Sequence, residues 1–185
     1  QYVDQVCVLE KEAFSMPWHK ESFLEMIRNK DACYLVGIIN DEVVASCGLR
    51  NIVGDGEITN VVTAGNMRCK GVGKQMLLRL MEEGIKMGVE AFTLEVRKSN
   101  AAAIHLYEGL GFVTEGVRKN FYEEPVEDDY EEDNKVVVSS MNELMHIEDK
   151  KPQAEKAPQE RCAAVAAAVC GCGGAGSGAV CFVQL

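Results

Sequence analysis

Arg68-Cys69-Lys70-Gly71-Val72-Gly73 separates two runs of different periodicity. Ahead of it, Glu57-Ile58-Thr59-Asn60-Val61-Val62-Thr63 is apolar and β-branched. Behind it, Met76, Leu77, Leu80, Met81 and Ile85 recur at helical spacing. The stretch predicts a strand, a glycine-bearing loop and the start of a helix. Such an arrangement suits a phosphate: glycine lets the backbone approach an anion closely, and the first N–H groups of a helix are unpaired and point at it. Arg68, Lys70 and Lys74 add positive charge. The glycine spacing is neither the Walker loop nor the dinucleotide fingerprint. Taken alone, a plain strand-to-helix turn explains two glycines equally well.

Upstream, Val6, Val8, Leu9, Ala13 and Phe14 give residues 3–14 the pattern of an amphipathic helix. Pro17, within Phe14-Ser15-Met16-Pro17-Trp18, turns the chain into a second helix marked by Phe23, Leu24, Met26 and Ile27. Residues 33–40 and 43–53 read as strands joined at Asn40-Asp41-Glu42, and Gly54-Asp55-Gly56 turns the chain into strand 57–63. Downstream, Gly88 stands where a helix C-cap belongs. Residues 91–97 form the next strand, Asn100 caps a helix reaching Leu110, and residues 112–118 form a further strand. Residues 135–141 are the candidate last strand, followed by helix-like 142–149. The fold class is α/β in the α+β sense, a mixed sheet flanked by helices in a domain spanning residues 1–149.

A second stretch adds to the first: Leu94-Glu95-Val96-Arg97-Lys98-Ser99-Asn100-Ala101-Ala102-Ala103-Ile104-His105-Leu106-Tyr107-Glu108-Gly109-Leu110-Gly111-Phe112. With the glycine loop it resembles the GNAT superfamily of acyl-CoA-dependent N-acyltransferases over residues 2–122. Arg-x-x-Gly-x-Gly is similar to that family's pyrophosphate loop, and Asn-x-x-Ala-x-x-Leu-Tyr-x-x-x-Gly-Phe to its second signature. The form found here is closest to the branch that acetylates ribosomal-protein N-terminal alanine (RimI-like). Relatives usually place a strand ahead of the first helix, at the sheet edge; none is recognisable here, so the first strand is expected to be missing.

The resemblance implies acetyl-CoA as co-substrate and a protein N-terminal amine, such as an N-terminal alanine of a ribosomal protein, as acceptor. Arg68, Cys69, Lys70, Gly71, Val72, Gly73 and Lys74 would hold the pyrophosphate, largely through backbone N–H groups. Cys69 stands where many relatives carry glycine or a basic residue. Val61, Val62 and Thr63 match the place where relatives bulge the strand and free an N–H for the thioester carbonyl; a plain buried strand reads the same in sequence. Glu95 shares a strand face with Thr93 and Arg97, and either pairs with Arg97 in solvent or serves as general base, which is its place in the RimI-like motif. Tyr107 shares a stripe with Ala103 and Ile104, and is either a core tyrosine or the general acid that protonates the leaving thiolate. Asn100 would also bond the cofactor arm, and His105 lies on another face. Trp18 and Tyr122 would line the acceptor cleft, although Trp18 packed on the next helix is an equal reading.

Composition excludes several other functions. The chain has 185 residues and a net charge of −10, and eight of its 29 acids fall within residues 123–133. This balance argues against nucleic-acid binding, and no apolar run reaches the ~18 residues of a membrane span. The acidic run is either a solvated loop or a field that steers a basic acceptor. The eight cysteines are not spaced as a disulfide scaffold, which points to reduced thiols in a cytoplasm. Cys170-Gly171-Cys172 lacks the further ligands of a metal site, so no metal is expected. Residues 150–185 read as a low-complexity, disordered tail. Two other functions fit the same motifs: acetyl transfer to a small amine, and a non-catalytic acyl-CoA-binding or interaction module.

Overall fold

The computed structural model describes residues 2–118, 135–141 and 179–185, with backbone alone for 116–118 and 135–141. Helices α1 (Val3–Ala13) and α2 (Lys20–Arg28) come first. Strands β1 (Ala32–Ile39), β2 (Glu42–Ile52) and β3 (Asp55–Thr63) follow as two hairpins. Helix α3 (Val72–Lys86), strand β4 (Ala91–Arg97) and helix α4 (Ala101–Glu108) come next. Strands β5 (Val113–Arg118), β6 (Lys135–Met141) and β7 (Cys181–Gln184) complete the set. The expected order of elements is present, with no strand ahead of α1 among the described residues. The acidic run 123–133, the helix-like 142–149 and most of the tail lie outside the described residues.

The seven strands among the described residues form one mixed sheet in the order β5-β6-β4-β3-β2-β1-β7. Only β3 and β4 run parallel; every other neighbouring pair is antiparallel. Helices cover both faces, so the central strands are apolar on both sides. Cys33 and Leu35 of β1 join Leu49, Ile58, Leu77, Leu80, Phe92 and Leu94 in the core under α3 and α4. Their neighbours Tyr34, Val36 and Ile38 join Val6, Phe23 and Met26 under α1 and α2. Each fully buried large apolar side chain contributes roughly 1.5–3 kcal/mol. These two layers, and not helix propensity, hold the short helices in place.

The turn between β2 and β3 differs from the sequence expectation. Val53 and Gly54 form it, with φ of 55° and 95°, and β3 already begins at Asp55. Asn51 moves the turn forward: its Oδ1 accepts the Gly54 N–H at 2.9 Å and its Nδ2 donates to the Met87 carbonyl at 2.8 Å. Val53 is left fully exposed in a left-handed conformation that a β-branched residue rarely takes.

The expectation of one unstructured tail over residues 150–185 is corrected at its end. β7 pairs antiparallel with β1, from Cys181 opposite Ile38 to Gln184 opposite Leu35, and the Leu185 N–H donates to the Tyr34 carbonyl at 3.0 Å. Val180 and Phe182 pack on one core, Val183 and Leu185 on the other. The edge expected to lack its strand is thus covered from the far end of the sequence. Cys-Phe-Val-Gln-Leu is a short strand-forming run hidden behind an Ala/Gly-rich stretch.

Candidate active site

β3 and β4 pair only from Asp55 opposite Ala91 to Ile58 opposite Leu94. Beyond that point β3 continues to Thr63 and β4 to Arg97 with no ladder between them. Parallel strands that part at their carboxyl ends open a cleft, the usual place for a ligand in such sheets.

A bulge opens this cleft. Cys47 pairs with Val61 and Leu49 with Ile58, so Thr59 and Asn60 both oppose Gly48. A Cβ at Gly48 would sit 2.6 Å from Thr59 Oγ1 and 3.0 Å from both Asn60 Oδ1 and Tyr34 Cδ2. The extra residue twists β3 away from β4. The bulge was expected over Val61–Val62–Thr63; it lies just before them, and those three residues keep their pairing with β2. Past Ile58, the peptide groups of β3 that turn toward β4 meet no strand partner.

The glycine loop stands at the end of β3. A single 3-10 turn, Gly65–Met67, leads to Arg68, and α3 begins at Val72. Cys69 and Gly71 both have positive φ, 58° and 78°. Left-handed residues next to a helix start turn successive N–H groups inward into an anion-binding concavity. The Gln75 N–H donates to the Gly71 carbonyl, leaving the N–H groups of Val72, Gly73 and Lys74 ahead of the first helical bond. Arg68, Cys69, Lys70, Gly71 and Lys74 are exposed, whereas the Val72 side chain is buried and anchors the loop. Arg68 Nε donates to the Thr63 carbonyl at 3.3 Å, tying its guanidinium to the end of β3. A Cβ at Gly73 would meet Leu106 and Thr63 at an ordinary 3.5 Å. The chain itself therefore tolerates a side chain at Gly73, and any need for glycine there comes from a ligand.

β4 places Phe92, Leu94 and Val96 in the core and turns Thr93, Glu95 and Arg97 to the opposite face, as expected. Glu95 is exposed on the side of α1 and α2. Asn100 caps α4, its Oδ1 accepting the Ala103 N–H at 3.2 Å. Tyr107 is 7% exposed and packs edge-on against Phe112, with ring centroids 5.9 Å apart. Burial, helped by Cys47, pushes its hydroxyl up to about 12. No other described residue hydrogen-bonds that hydroxyl. His105 is exposed, as expected. Trp18 packs on Phe23 at 5.5 Å, with the Arg50 guanidinium 5.8 Å from its ring centre. The exposed apolar groups of this loop are instead Phe14 and Met16. Tyr122 lies outside the described residues.

Residues 3–112 match the acetyltransferase (GNAT) family. The chain belongs to the GNAT family. Among relatives, the ribosomal protein bS18-alanine N-acetyltransferase of Salmonella typhimurium is 34% identical over 116 residues, 62% of this chain and 76% of its own length. The Escherichia coli K12 enzyme of the same name is 33% identical over the same shares. A crystal structure of the Escherichia coli ribosomal-protein alanine N-acetyltransferase superposes with a TM-score of 0.64 at 27% identity, covering 74% of this chain and 85% of that one. The PaiA N-acetyltransferase of Thermoplasma acidophilum, solved with coenzyme A, shares the fold at a TM-score of 0.60 and 16% identity, covering 76% and 92%. As a GNAT protein the chain is an N-acetyltransferase.

Sequence reasoning passed over Gly48, Asn60 and Glu10. Signals for two of them were present: Glu10 lies one turn after Val6 on the buried stripe of α1, and Asn60 sits in register between Ile58 and Val62.

Proposed function

We propose that this chain acetylates the N-terminal amine of a protein, using acetyl-CoA as donor, with an alanine-led ribosomal protein as the first acceptor to test. Acetyl-CoA would supply the activated acyl group and a thiolate leaving group. The loop from Arg68 to Lys74 fits its pyrophosphate: it offers inward N–H groups, a helix start and exposed positive charge. The parted β3 and β4 fit an extended arm, flanked by Val61, Val62, Thr63 and Asn100.

The observation that carries the reading is the Tyr107 hydroxyl. A buried phenol with no described partner is costly to leave unpaired, which favours a ligand group beside it. Tyr107 would give its proton to the departing thiolate. Glu95, exposed on the face of β4 opposite Leu94 and Val96, would take the proton of the incoming amine directly or through a water. Exposed Phe14 and Met16, with Trp18 behind them, would form the apolar side of the acceptor groove. The described cysteines are all free thiols, which supports a reducing, cytoplasmic setting.

Acetylation measured side by side on an alanine-led peptide and on spermidine tests the reading. Turnover on the peptide with little on spermidine is expected. The reverse preference would move the acceptor to small amines, and acetyl-CoA binding without turnover would make the chain a binding module.

A further inference from the structure

Glu10 is the one charged residue in the described core, with 1% of its surface exposed. Asn60 Nδ2 donates to its Oε1 at 2.5 Å, and the same amide lies 3.2 Å from the Tyr34 hydroxyl. That hydroxyl donates to Ser46 Oγ at 3.2 Å, and Thr59 Oγ1 donates to Asn60 Oδ1 at 3.0 Å. Burial pushes the Glu10 carboxyl up, while Asn60 and the Trp18 backbone amide stabilise its charged form. Glu10 thus meets the bulge of β3 through its side chain and the 14–18 loop through its backbone carbonyl, which accepts the Phe14 N–H at 2.9 Å.

An apolar side chain of similar volume would pack there without the desolvation cost of a charge. What a buried carboxylate adds is direction: its oxygen holds the Asn60 amide in one orientation and so pins the end of α1 to the bulge, which helix packing alone does not do. The bulge and the 14–18 loop both belong to the cleft. Thr59 and Asn60 form the bulge that parts β3 from β4, and Trp18 closes the loop that exposes Phe14 and Met16. We propose that Glu10 is a positioning residue that fixes the acceptor loop against the β3 bulge, so that the amine is presented to the thioester in one geometry. This inference rests on the acetyl-transfer reading and deepens it.

Trp18 is the only tryptophan in the chain, so its fluorescence reports the loop without interference. Glu10→Met keeps the volume and removes the hydrogen bonds; Glu10→Gln keeps an acceptor oxygen. In Glu10→Met, acrylamide quenching of Trp18 should at least double and the KM for an alanine-led peptide should rise at least tenfold. Acetyl-CoA affinity should stay within twofold, and Glu10→Gln should restore most of the loss. Should Glu10→Met fail to fold, Asn60→Leu cuts the other end of the bracket and is read in the same way. Wild-type quenching and KM in the Met variant would overturn the proposal. Equal loss of acetyl-CoA binding and peptide use in both Glu10 variants would also overturn it, by showing a general structural role. Quenching needs no acceptor, so an inactive wild-type protein would sink the acceptor assignment while the bracket is still read.

Discussion

Gly48 faces Thr59 across the β2–β3 ladder so closely that a methyl group on Gly48 would lie 2.6 Å from the Thr59 hydroxyl. The neighbours cannot easily give way. Thr59 is β-branched, Asn60 is held by Glu10, and Tyr34 is buried. Gly48→Ala should therefore cost about 1–3 kcal/mol in urea unfolding, as overpacking does. Turnover should fall as well, since the bulge must shift to relieve the clash. Unchanged stability and turnover would show that the bulge adapts freely.

The candidate acid and base should act on the chemical step. Glu95→Gln and Tyr107→Phe should each lower kcat by roughly 10²-fold, with acetyl-CoA affinity nearly unchanged in calorimetry. Full kcat in either variant would remove that residue from the mechanism.

Tyr107 also makes an alkaline prediction. Its hydroxyl ionises at 10 in the unfolded chain and at about 12 in the fold. Between those values the unfolded chain has released the proton and the folded chain retains it. The stabilisation is thus complete below pH 10 and lost as pH rises through about 12. Tyr107→Phe should flatten this part of the fall in a pH series of unfolding midpoints. Tyr34, Cys33 and Cys47, whose groups burial likewise raises, contribute to what is left.

The glycine loop gives a binding test. Gly71 has φ of 78°, and Gly71→Asp sets both a carboxylate and a disfavoured backbone against the phosphates. Acetyl-CoA affinity should fall at least tenfold, ~1.4 kcal/mol. Gly71→Asn tolerates the same φ without the charge and should lose much less. Equal losses would assign the effect to the added side chain and not to its charge.

At the β2–β3 turn, Val53→Asn should stabilise the fold by about 1 kcal/mol, because asparagine accepts the left-handed conformation and precedes Gly54 as hairpins prefer. Thermal unfolding checks this, and a lower midpoint would show that the valine has an unseen contact.

Removal of residues 179–185 should lower the melting temperature by several degrees. The loss comprises the β1 ladder and the packing of Val180, Phe182, Val183 and Leu185. Acetyl-CoA affinity should survive, because β7 lies at the sheet edge with β1 and β2 between it and the cleft. An unchanged melting temperature would make β7 an ornament of the edge.

The local features were legible in sequence. Gly71 and Gly73 between a β-branched run and a helical stripe, the alternation that turns Glu95 away from Leu94, and Asn100 as a cap all lie within a few residues of chain. The bulge could be placed only approximately, because its position depends on which residue of β2 lacks a side chain. Glu10 and Asn60 are fifty positions apart and join only once α1 packs on the sheet. Trp18 read equally well as groove wall or staple, and its contacts with Phe23 and Arg50 show the packing. β7 was hidden because its partner strand lies at the other end of the chain, so no local period marks the pairing.

That pairing has a consequence for synthesis. β1 leaves the ribosome far ahead of β7, so a growing chain carries β1 with its outer backbone groups unpaired while the rest of the sheet assembles. The nascent protein must spend that interval with an open edge able to recruit a neighbouring chain. Slower translation of the residues between β6 and β7 would lengthen the interval and raise the fraction lost to aggregation, with no change in the finished fold.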